Sequence, residues 1–380
     1  MIDVLVVTPD FPPRPGGIQT LLARLVTGFP SYRALVLAPS EPEAGPFDQR
    51  FPVPVLRVSP DPASGRGAKA AYLANLLIRA LAVARRERPR VVLAGHVLAG
   101  PVGWTIRRLL GVPYVVYIHA DEMARPRRLL RRPLRDADRV IAVSAYSRDL
   151  AVRAGARPER VVVIANGADL PSPAAASGPA EHGPPQPTIL TVSRMDQLYK
   201  GHDVLLRSLP LVAARVPTVR LVFLGDGAFR EFYQRLASSL GITDHVLFLG
   251  RVPDPVRDAW LSSCDVFAMP GRVGPVDGAG EGFGIVYLEA GAWGKPVLAG
   301  RAGGAVDAVV DGRTGLLVEP ESIHAVADGL IRLLTDRMLT ARLGMAARQR
   351  VATELSWTNV AGRVEGVLRE VAGAGGELAR

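Results

Sequence analysis

The sequence predicts an α/β protein made of two doubly wound, parallel-sheet domains that face each other across a cleft. Short apolar runs alternate with helix-like segments from end to end, which is typical of parallel sheets with crossover helices. This alternation stops once, at a Pro-, Ala- and Gly-rich stretch over residues 171–187 that cannot hold a helix or a central strand. At 380 residues the chain is long enough for two domains, each with its own core.

Six predicted strands precede the linker: Val4–Thr8, Ala34–Leu37, Val91–Ala94, Tyr114–Ile118, Val140–Val143 and Val161–Ile164. The clearest helical pattern between them covers Lys69–Arg88. Six more predicted strands follow the linker: Thr188–Val192, Val219–Leu224, Val246–Leu249, Val266–Met269, Pro296–Ala299 and Gly315–Val318. The last ~60 residues carry only helical periodicity, with a break near Trp357. We therefore predict a first domain over 1–170, a linker over 171–187 and a second domain over 188–356.

Composition excludes several classes of protein. With 48% hydrophobic and 22% charged residues the chain is globular, and no apolar run approaches the ~18 residues of a membrane helix. The N-terminus lacks the layout of a signal peptide, and the single cysteine, Cys264, fits a reducing compartment, so we expect a cytoplasmic protein. The net charge of +10 favours anionic partners. Nucleic acid is not expected among them, because aromatic content is 6% and no stacking motif accompanies the arginines.

The densest basic segment is Arg125–Arg139, in which leucines interleave with arginines. This pattern predicts a peripheral contact with an anionic membrane face. The alternative is an ordinary solvated helix face in an arginine-rich chain.

Two carboxylates mark the second half, Glu281 in a glycine-rich loop and Glu289 in the apolar helix that follows. Eight residues at ~100° each bring the second carboxylate back near the direction of the first. The amides of Gly284 and Ile285, at the expected helix start, favour a phosphate. Carboxylates for sugar or ribose hydroxyls beside a phosphate site indicate a nucleotide sugar. The alternative is an amphipathic helix with a solvated glutamate at each end.

Each half also has a distinctive loop after its first strand. Gly16 and Gly17 in the first half let backbone amides approach a ligand closely, but the Gly-x-Gly-x-x-Gly spacing of dinucleotide-binding proteins is absent. Arg194 and Lys200 in the second half would hold a diphosphate and stabilise the charge that builds on it as a sugar–phosphate bond breaks. A tight turn and a solvated cationic pair are the respective alternatives.

His119 ends a predicted strand of the first half, where this architecture places chemistry, and is a candidate for hydrogen bonding to a sugar or an acceptor. Asp136 and Asp138 superficially resemble a metal-binding pair, but they lie in the arginine-rich segment and favour a salt-bridged loop. Sets of His and Cys with metal-ligand spacing are absent. We predict no metal and no cofactor.

These motifs, in this order, resemble the retaining glycosyltransferases of family four, which have the GT-B fold of two Rossmann-like domains. The stretches 10–19 and 267–290 are most similar to those of bacterial phosphatidylinositol mannosyltransferases. The resemblance implies that Arg194, Lys200 and the Gly16–Gly17 amides hold the donor diphosphate and that Glu289 binds the ribose. It also implies that His119 lies near the donor sugar and acceptor, and that the helix over 357–380 crosses back onto the first domain.

The same resemblance implies a donor loop in which Glu281 binds sugar hydroxyls; the donor-binding residues there are Glu281, Gly282, Phe283, Gly284 and Ile285. The catalytic candidates are His119, Arg194, Lys200 and Glu281. The implied activity is transfer of a hexose from a nucleoside-diphosphate sugar, with GDP-mannose favoured, to an alcohol acceptor by a front-face mechanism.

Three other functions remain open from the sequence. A natural-product glycosyltransferase would use a soluble aminocyclitol or thiol-metabolite precursor as its acceptor, in place of a lipid-linked polyol. A nucleotide-sugar 2-epimerase would use the same architecture without an acceptor. A non-catalytic protein would bind a sugar nucleotide or a membrane surface without turnover.

Overall fold

A computed structural model describes residues 2–61, 64–120, 123, 128–171, 186–274 and 278–377. The chain divides into two compact units. Unit 1 is formed by Met1–Asn166 together with Trp357–Arg380, and unit 2 by Gly167–Ser356. The predicted linker falls mostly outside the described residues, as do Arg125 and Arg127 of the basic segment.

The described part of unit 1 contains a seven-stranded parallel sheet with the order β3-β2-β1-β4-β5-β6-β7. Its strands are β1 (Val4–Val7), β2 (Ala34–Pro39), β3 (Val55–Val58), β4 (Val91–Ala94), β5 (Tyr114–Ile118), β6 (Arg139–Ala142) and β7 (Val161–Val163). Its helices are α1 (Gly17–Gly28), α2 (Ala44–Asp48), α3 (Arg66–Glu87), α4 (Gly100–Leu110), α5 (Arg128–Asp136), α6 (Ala145–Arg153) and α14 (Trp357–Glu377). The central strands β1, β4 and β5 are fully buried, which explains their continuous apolar sequences.

Helix α14 belongs to unit 1 because a buried carboxylate ties it to the turn before β2. Glu365 accepts hydrogen bonds from the backbone N–H groups of Ser31 (2.9 Å) and Tyr32 (3.1 Å). It also accepts from the Ser31 hydroxyl (2.6 Å) and from Arg369, one turn along the helix (2.5 Å). Close packing adds to this contact, since a Cβ at Gly28 of α1 would lie 2.9 Å from Cβ of Ala361.

The described part of unit 2 contains a six-stranded parallel sheet with the order β10-β9-β8-β11-β12-β13. Its strands are β8 (Thr188–Val192), β9 (Arg220–Leu224), β10 (Val246–Gly250), β11 (Val266–Met269), β12 (Val297–Gly300) and β13 (Gly315–Val318). Its helices are α7 (His202–Ala213), α8 (Arg230–Ser239), α9 (Asp254–Ser263), α10 (Ile285–Ala292), α11 (Ala305–Ala308), α12 (Ile323–Thr335) and α13 (Arg337–Thr353).

The predicted fold class is confirmed. All twelve predicted strands are present, with ends that differ from the prediction by two residues at most. Strand β3 was not predicted; it lies at the edge of its sheet, is only partly buried and carries Arg57 among its apolar residues.

The two sheets share one topological property that positions ligands. In each sheet the strand order reverses at one point, between β1 and β4 in unit 1 and between β8 and β11 in unit 2. Loops that leave the carboxyl ends of the two strands at such a switch point diverge, and the gap between them binds ligands in doubly wound sheets.

Most of the leucines of helix α5 pack inside unit 1 and do not form an exposed apolar face. Leu130 and Leu134 are buried in the core of unit 1, and only Leu129 is exposed. The apolar face of the basic segment is therefore occupied by its own domain. Helix α5 presents Arg131, Arg132 and Arg135 to solvent, and not an apolar stripe.

Candidate functional site

The switch point of unit 2 brings together two residues that lie far apart in sequence. Lys200 is in the loop after β8, and Glu281 is in the loop after the neighbouring strand β11. Nζ of Lys200 forms an ion pair with Oε2 of Glu281. Their side chains are only 15% and 16% exposed, so the pair is weakly screened by solvent.

The backbone around Lys200 allows no side chain at the next position. Gly201 has a φ of 79°, and a Cβ there would lie 2.2 Å from the carbonyl oxygen of Pro270, directly after β11. Glycine is therefore required, because both the left-handed conformation and the close approach exclude a larger residue. The turn that carries Lys200 is packed directly on the end of the adjacent strand.

A helix N-terminus lies beside the ion pair. Helix α10 begins at Ile285 and is capped by Gly284, whose φ is 87°. A Cβ at Gly284 would lie 2.3 Å from the ring of Tyr287 and 3.3 Å from Cγ of Glu281. The first backbone amides of a helix have no acceptor within it, so they and Lys200 form a region suited to an anion.

The loop before α10 is held in place by the loop that follows β12. Phe283 is 1% exposed, and a Cβ at Gly304 would lie 1.9 Å from the carbonyl oxygen of Gly282. The amide of Gly304 donates to the carbonyl of Glu281 over 2.7 Å. The backbone of the glutamate is thus held by the loop after β12.

The second predicted carboxylate, Glu289, lies within α10. Because α10 starts at Ile285, Glu281 is outside the helix, and the rotation argument that placed both carboxylates on one face does not apply to it. Burial raises the pKa of Glu289, and attraction to Arg257 partly offsets that rise. Among the described residues its carboxylate has no hydrogen-bond or ion-pair partner, so the two carboxylate oxygens are available to hydroxyl donors.

Arg257 is the cation that lowers the pKa of the Glu289 carboxyl group, and it was not predicted from the sequence. It is held by Asp254 (Nη1 to Oδ1, 3.0 Å) and by Asp258 (Nη2 to Oδ1, 2.8 Å). Arg194, in contrast, is exposed and forms no ion pair with any residue in the described ranges.

In unit 1, Gly16 and Gly17 lie where the loop after β1 enters α1. The backbone of Gly16 is extended, and a Cβ there would lie 2.2 Å from Oε1 of Gln19. Gln19 in turn donates to Oδ1 of Asp10 over 3.1 Å. The absence of a side chain at Gly16 leaves room for the glutamine side chain to fold back over it.

His119 follows β5 and lies beside His96, which follows β4. Nε2 of His119 is 2.9 Å from the carbonyl oxygen of Gly95, and its ring stacks on Tyr117 at 5.2 Å. Nε2 of His96 is 3.9 Å from Oδ2 of Asp10. His96 was not predicted as a site residue, although it lies two residues after a predicted strand and so at the same edge of the sheet as His119.

The described residues contain neither a metal-binding cluster nor a membrane-spanning helix. No group of three or more His, Cys, Asp or Glu side chains is arranged to hold a metal ion there. Nor does any helix in those ranges combine the length and apolar composition needed to cross a bilayer.

Comparison with known proteins gives matches along nearly the whole chain. The family model described as "Glycosyltransferase Family 4" matches residues 15–171, and the one described as "Glycosyl transferases group 1" matches residues 177–350. The chain is 34% identical to a GDP-mannose-dependent alpha-(1-6)-phosphatidylinositol monomannoside mannosyltransferase of Mycobacterium tuberculosis, covering 97% of this chain and 98% of that protein.

Two further matches are informative. The chain is 31% identical to a D-inositol 3-phosphate glycosyltransferase of Corynebacterium glutamicum, over 76% of this chain and 75% of that protein. The crystal structure of Anabaena HepE in complex with UDP and glucose superposes with a TM-score of 0.77 at 24% identity, covering 97% of this chain and 100% of that one. The structural likeness supports the fold.

Proposed function

The chain belongs to glycosyltransferase family 4 and is a hexosyltransferase of the GT-B fold, and on that premise we propose that it transfers mannose from GDP-mannose to an alcohol acceptor with retention of configuration. The observation that carries the proposal is the Lys200–Glu281 ion pair beside the N-terminus of α10. The name of the mycobacterial relative supports GDP-mannose as the donor.

Unit 2 binds the donor in this proposal. Lys200, Arg194 and the first amides of α10 hold the diphosphate, since cations and a helix N-terminus both favour its charge. Glu281 accepts hydrogen bonds from sugar hydroxyls while remaining next to Lys200. Glu289 accepts from the ribose hydroxyls, which suits a half-buried carboxylate with no described partner.

The chemistry follows from the same charges. As the bond between the sugar C1 and the phosphate oxygen breaks, its electron pair moves onto the diphosphate and the sugar gains oxocarbenium character. Lys200 and Arg194 stabilise the diphosphate more in this transition state than in the ground state. The acceptor oxygen bonds to C1 on the face that the phosphate leaves, and the leaving phosphate oxygen takes the acceptor's proton. Retention results, and no separate protein base is required.

The acceptor is a polyol, for which we propose a lipid-linked inositol mannoside, bound by unit 1 with His119 hydrogen bonding to its hydroxyls. The name of the mycobacterial relative, which is matched over 97% of this chain and 98% of its own length, supports this choice. A soluble inositol phosphate is the second candidate, favoured by the likeness to the corynebacterial glycosyltransferase.

A lipid acceptor requires access to a membrane, for which the basic helix α5 is suited. Arg131, Arg132 and Arg135 are exposed on it, while Leu130 and Leu134 are buried. We propose an electrostatic contact with anionic lipid, without insertion of the helix. Binding to phosphatidylglycerol vesicles that falls with added salt, and that is weakened in Arg131→Gln/Arg135→Gln, would support it, whereas salt-independent binding would contradict it.

A thermal-shift panel tests the donor site first. GDP-, UDP-, ADP- and dTDP-sugars are compared on the parent protein and on Glu289→Ala. A ligand at ~100 times its dissociation constant stabilises the fold by ~2.7 kcal/mol, which is visible in the melting temperature. We expect GDP-mannose to raise the melting temperature of the parent and not of the variant. No shift with any donor would refute the proposal.

A second assay tests the reaction. Radiolabelled GDP-mannose is incubated with a phosphatidylinositol mannoside, with inositol phosphate or with no acceptor, and NMR identifies the anomer formed. An α-linked product from an α-linked donor supports retention, and the acceptor that gains label identifies the acceptor class. Loss of nucleotide without an acceptor would favour the epimerase, and donor binding without turnover would favour the non-catalytic protein.

A further inference from the structure

Arg272, three residues after β11, makes three hydrogen bonds to the segment that carries Lys200. Its backbone amide donates to the carbonyl oxygen of Tyr199 over 2.8 Å. Its guanidinium donates to both carboxylate oxygens of Asp203, from Nη1 to Oδ1 over 3.0 Å and from Nη2 to Oδ2 over 3.2 Å. The side chains of Arg272 and Asp203 are 18% and 20% exposed, so both are largely removed from solvent.

These contacts hold the chain both before and after Lys200. Tyr199 immediately precedes Lys200, and Asp203 follows three residues later in the first turn of α7. Gly201, between them, is packed against the carbonyl of Pro270. Five consecutive residues are therefore held against the chain that leaves β11, which is also the chain that leads to Glu281.

We propose that Arg272 and Asp203 are positioning residues that hold Lys200 in place for the donor diphosphate; this inference rests on the proposed function. A lysine side chain is a flexible four-carbon stem with a point charge, so the position of Nζ depends on how firmly its backbone is held. A misplacement of ~1 Å can cost on the order of 100-fold in rate. Arg272 supplies that restraint, and because Asp203 neutralises its charge, it does not compete with Lys200 for the phosphates.

The planar fork of arginine is required for this role. A two-pronged contact with a carboxylate fixes orientation as well as distance, which a lysine ammonium cannot reproduce. The alternative is an ion pair that only stabilises unit 2. The two alternatives differ in which ligands they affect, because Lys200 is proposed to act on the diphosphate and not on the nucleoside.

The test measures the dissociation constants of GDP and GMP by calorimetry, together with the melting temperature. The variants are Arg272→Gln, Arg272→Lys, Asp203→Asn and Lys200→Ala. The matched control is Arg350→Gln. Arg350 is also a largely buried arginine of unit 2; it donates to the carbonyls of Asp307 (2.9 Å) and Ala308 (2.5 Å) and pairs with Glu354. Among the described residues it has no hydrogen bond or ion pair to Arg272 or to residues 199–203.

We expect Arg272→Gln and Asp203→Asn each to weaken GDP binding about tenfold and to leave GMP binding unchanged, with Arg272→Lys recovering at most part of the loss. Combining Arg272→Gln with Lys200→Ala should add nothing to the effect of Lys200→Ala alone, since the arginine acts through the lysine. Arg350→Gln should lower the melting temperature and leave both affinities unchanged.

Three results would overturn the inference. If Lys200→Ala weakens GDP binding and the Arg272 and Asp203 variants do not, the positioning role is wrong and the proposed function stands. If the Arg272 and Asp203 variants weaken GDP and GMP alike, Arg272 shapes the whole nucleotide site. If the parent protein binds neither nucleotide, the proposed function fails and this inference fails with it.

Discussion

Replacing Glu365 with alanine should selectively destabilise unit 1. Glu365 is 1% exposed and accepts from the Ser31 and Tyr32 amides, the Ser31 hydroxyl and Arg369. Ser31 is exposed, so water replaces the carboxylate there at a cost of about 1 kcal/mol. Tyr32 is 7% exposed, and leaving its amide unpaired costs a further ~1–3 kcal/mol. We expect a loss of roughly 3 kcal/mol in the free energy of unfolding of unit 1.

The assay is urea denaturation followed by circular dichroism, with GDP affinity measured separately to verify that unit 2 is intact. The matched control is Glu370→Ala, which removes a carboxylate of the same helix that pairs with Arg139 at a position 59% exposed. Exposed ion pairs contribute ~0–1 kcal/mol, so the control should change little. At ~2–4 °C per kcal/mol for a unit of this size, Glu365→Ala should lower the melting temperature by ~6–12 °C.

The pH dependence provides an independent check. Burial raises the pKa of Glu365, but the hydrogen bonds from Ser31, Tyr32 and Arg369 outweigh it and hold the pKa below 4.5. A carboxyl group with a depressed pKa stabilises the fold above its unfolded-state value, and that stabilisation disappears as the pH falls through the folded-state value. The parent should therefore lose its advantage over Glu365→Ala below pH 4.5. The reasoning is refuted if Glu365→Ala and Glu370→Ala have equal stability at pH 7.

Three further predictions follow from unit 2. Gly201→Ala should lower the free energy of unfolding by more than ~2 kcal/mol, because the new Cβ would lie 2.2 Å from the carbonyl oxygen of Pro270. The control is Gly241→Ala, where φ is a similar 68° but the space around the Cβ is open; equal losses in denaturation would contradict the steric argument. Burial, and secondarily Lys200, lowers the pKa of His202 from 6.5 to about 3. The parent should therefore lose stability relative to His202→Gln as the pH falls from 6.5 towards 3, and an unfolding free energy that varies with pH in the same way for both proteins would contradict this. Arg194→Ala should weaken GDP binding about tenfold with no change in melting temperature, because Arg194 is exposed. Arg207→Ala, on the exposed face of α7, is the control that should change neither quantity. A lower melting temperature for Arg194→Ala would indicate a structural role.

The strands could be predicted because parallel strands are buried on both faces and therefore read as continuous apolar runs. Edge strand β3 escaped this rule, since Leu56 is 41% exposed and Arg57 interrupts the run. In α5 the leucine spacing predicts an apolar face, for which the sequence left open a membrane contact or an ordinary solvated helix. Periodicity shows that a helix has an apolar face, and it does not show what covers that face.

The site could be predicted in part. Residues that follow strands, such as Lys200 and His119, were found because their place in the fold follows from the strand pattern. The partners of these residues were not, because they depend on which strands are neighbours. Arg272 and Asp203 are separated by 69 residues, and only the β8–β11 adjacency explains their contact. The helical rotation argument does not hold for Glu281, which lies before the start of α10 at Ile285, since helical spacing says nothing about a residue outside the helix.

The division of the chain between the units has a consequence for synthesis. Unit 2 is one continuous stretch, whereas unit 1 takes its first part from before that stretch and α14 from after it. On the ribosome the sheet of unit 1 emerges before unit 2 but must wait, with the surface that α14 covers still open, until unit 2 and α14 have been made. Unit 2 has all of its residues before then and is free to fold. The sheet of unit 1 is thus exposed to aggregation for longer than unit 2, until α14 covers it.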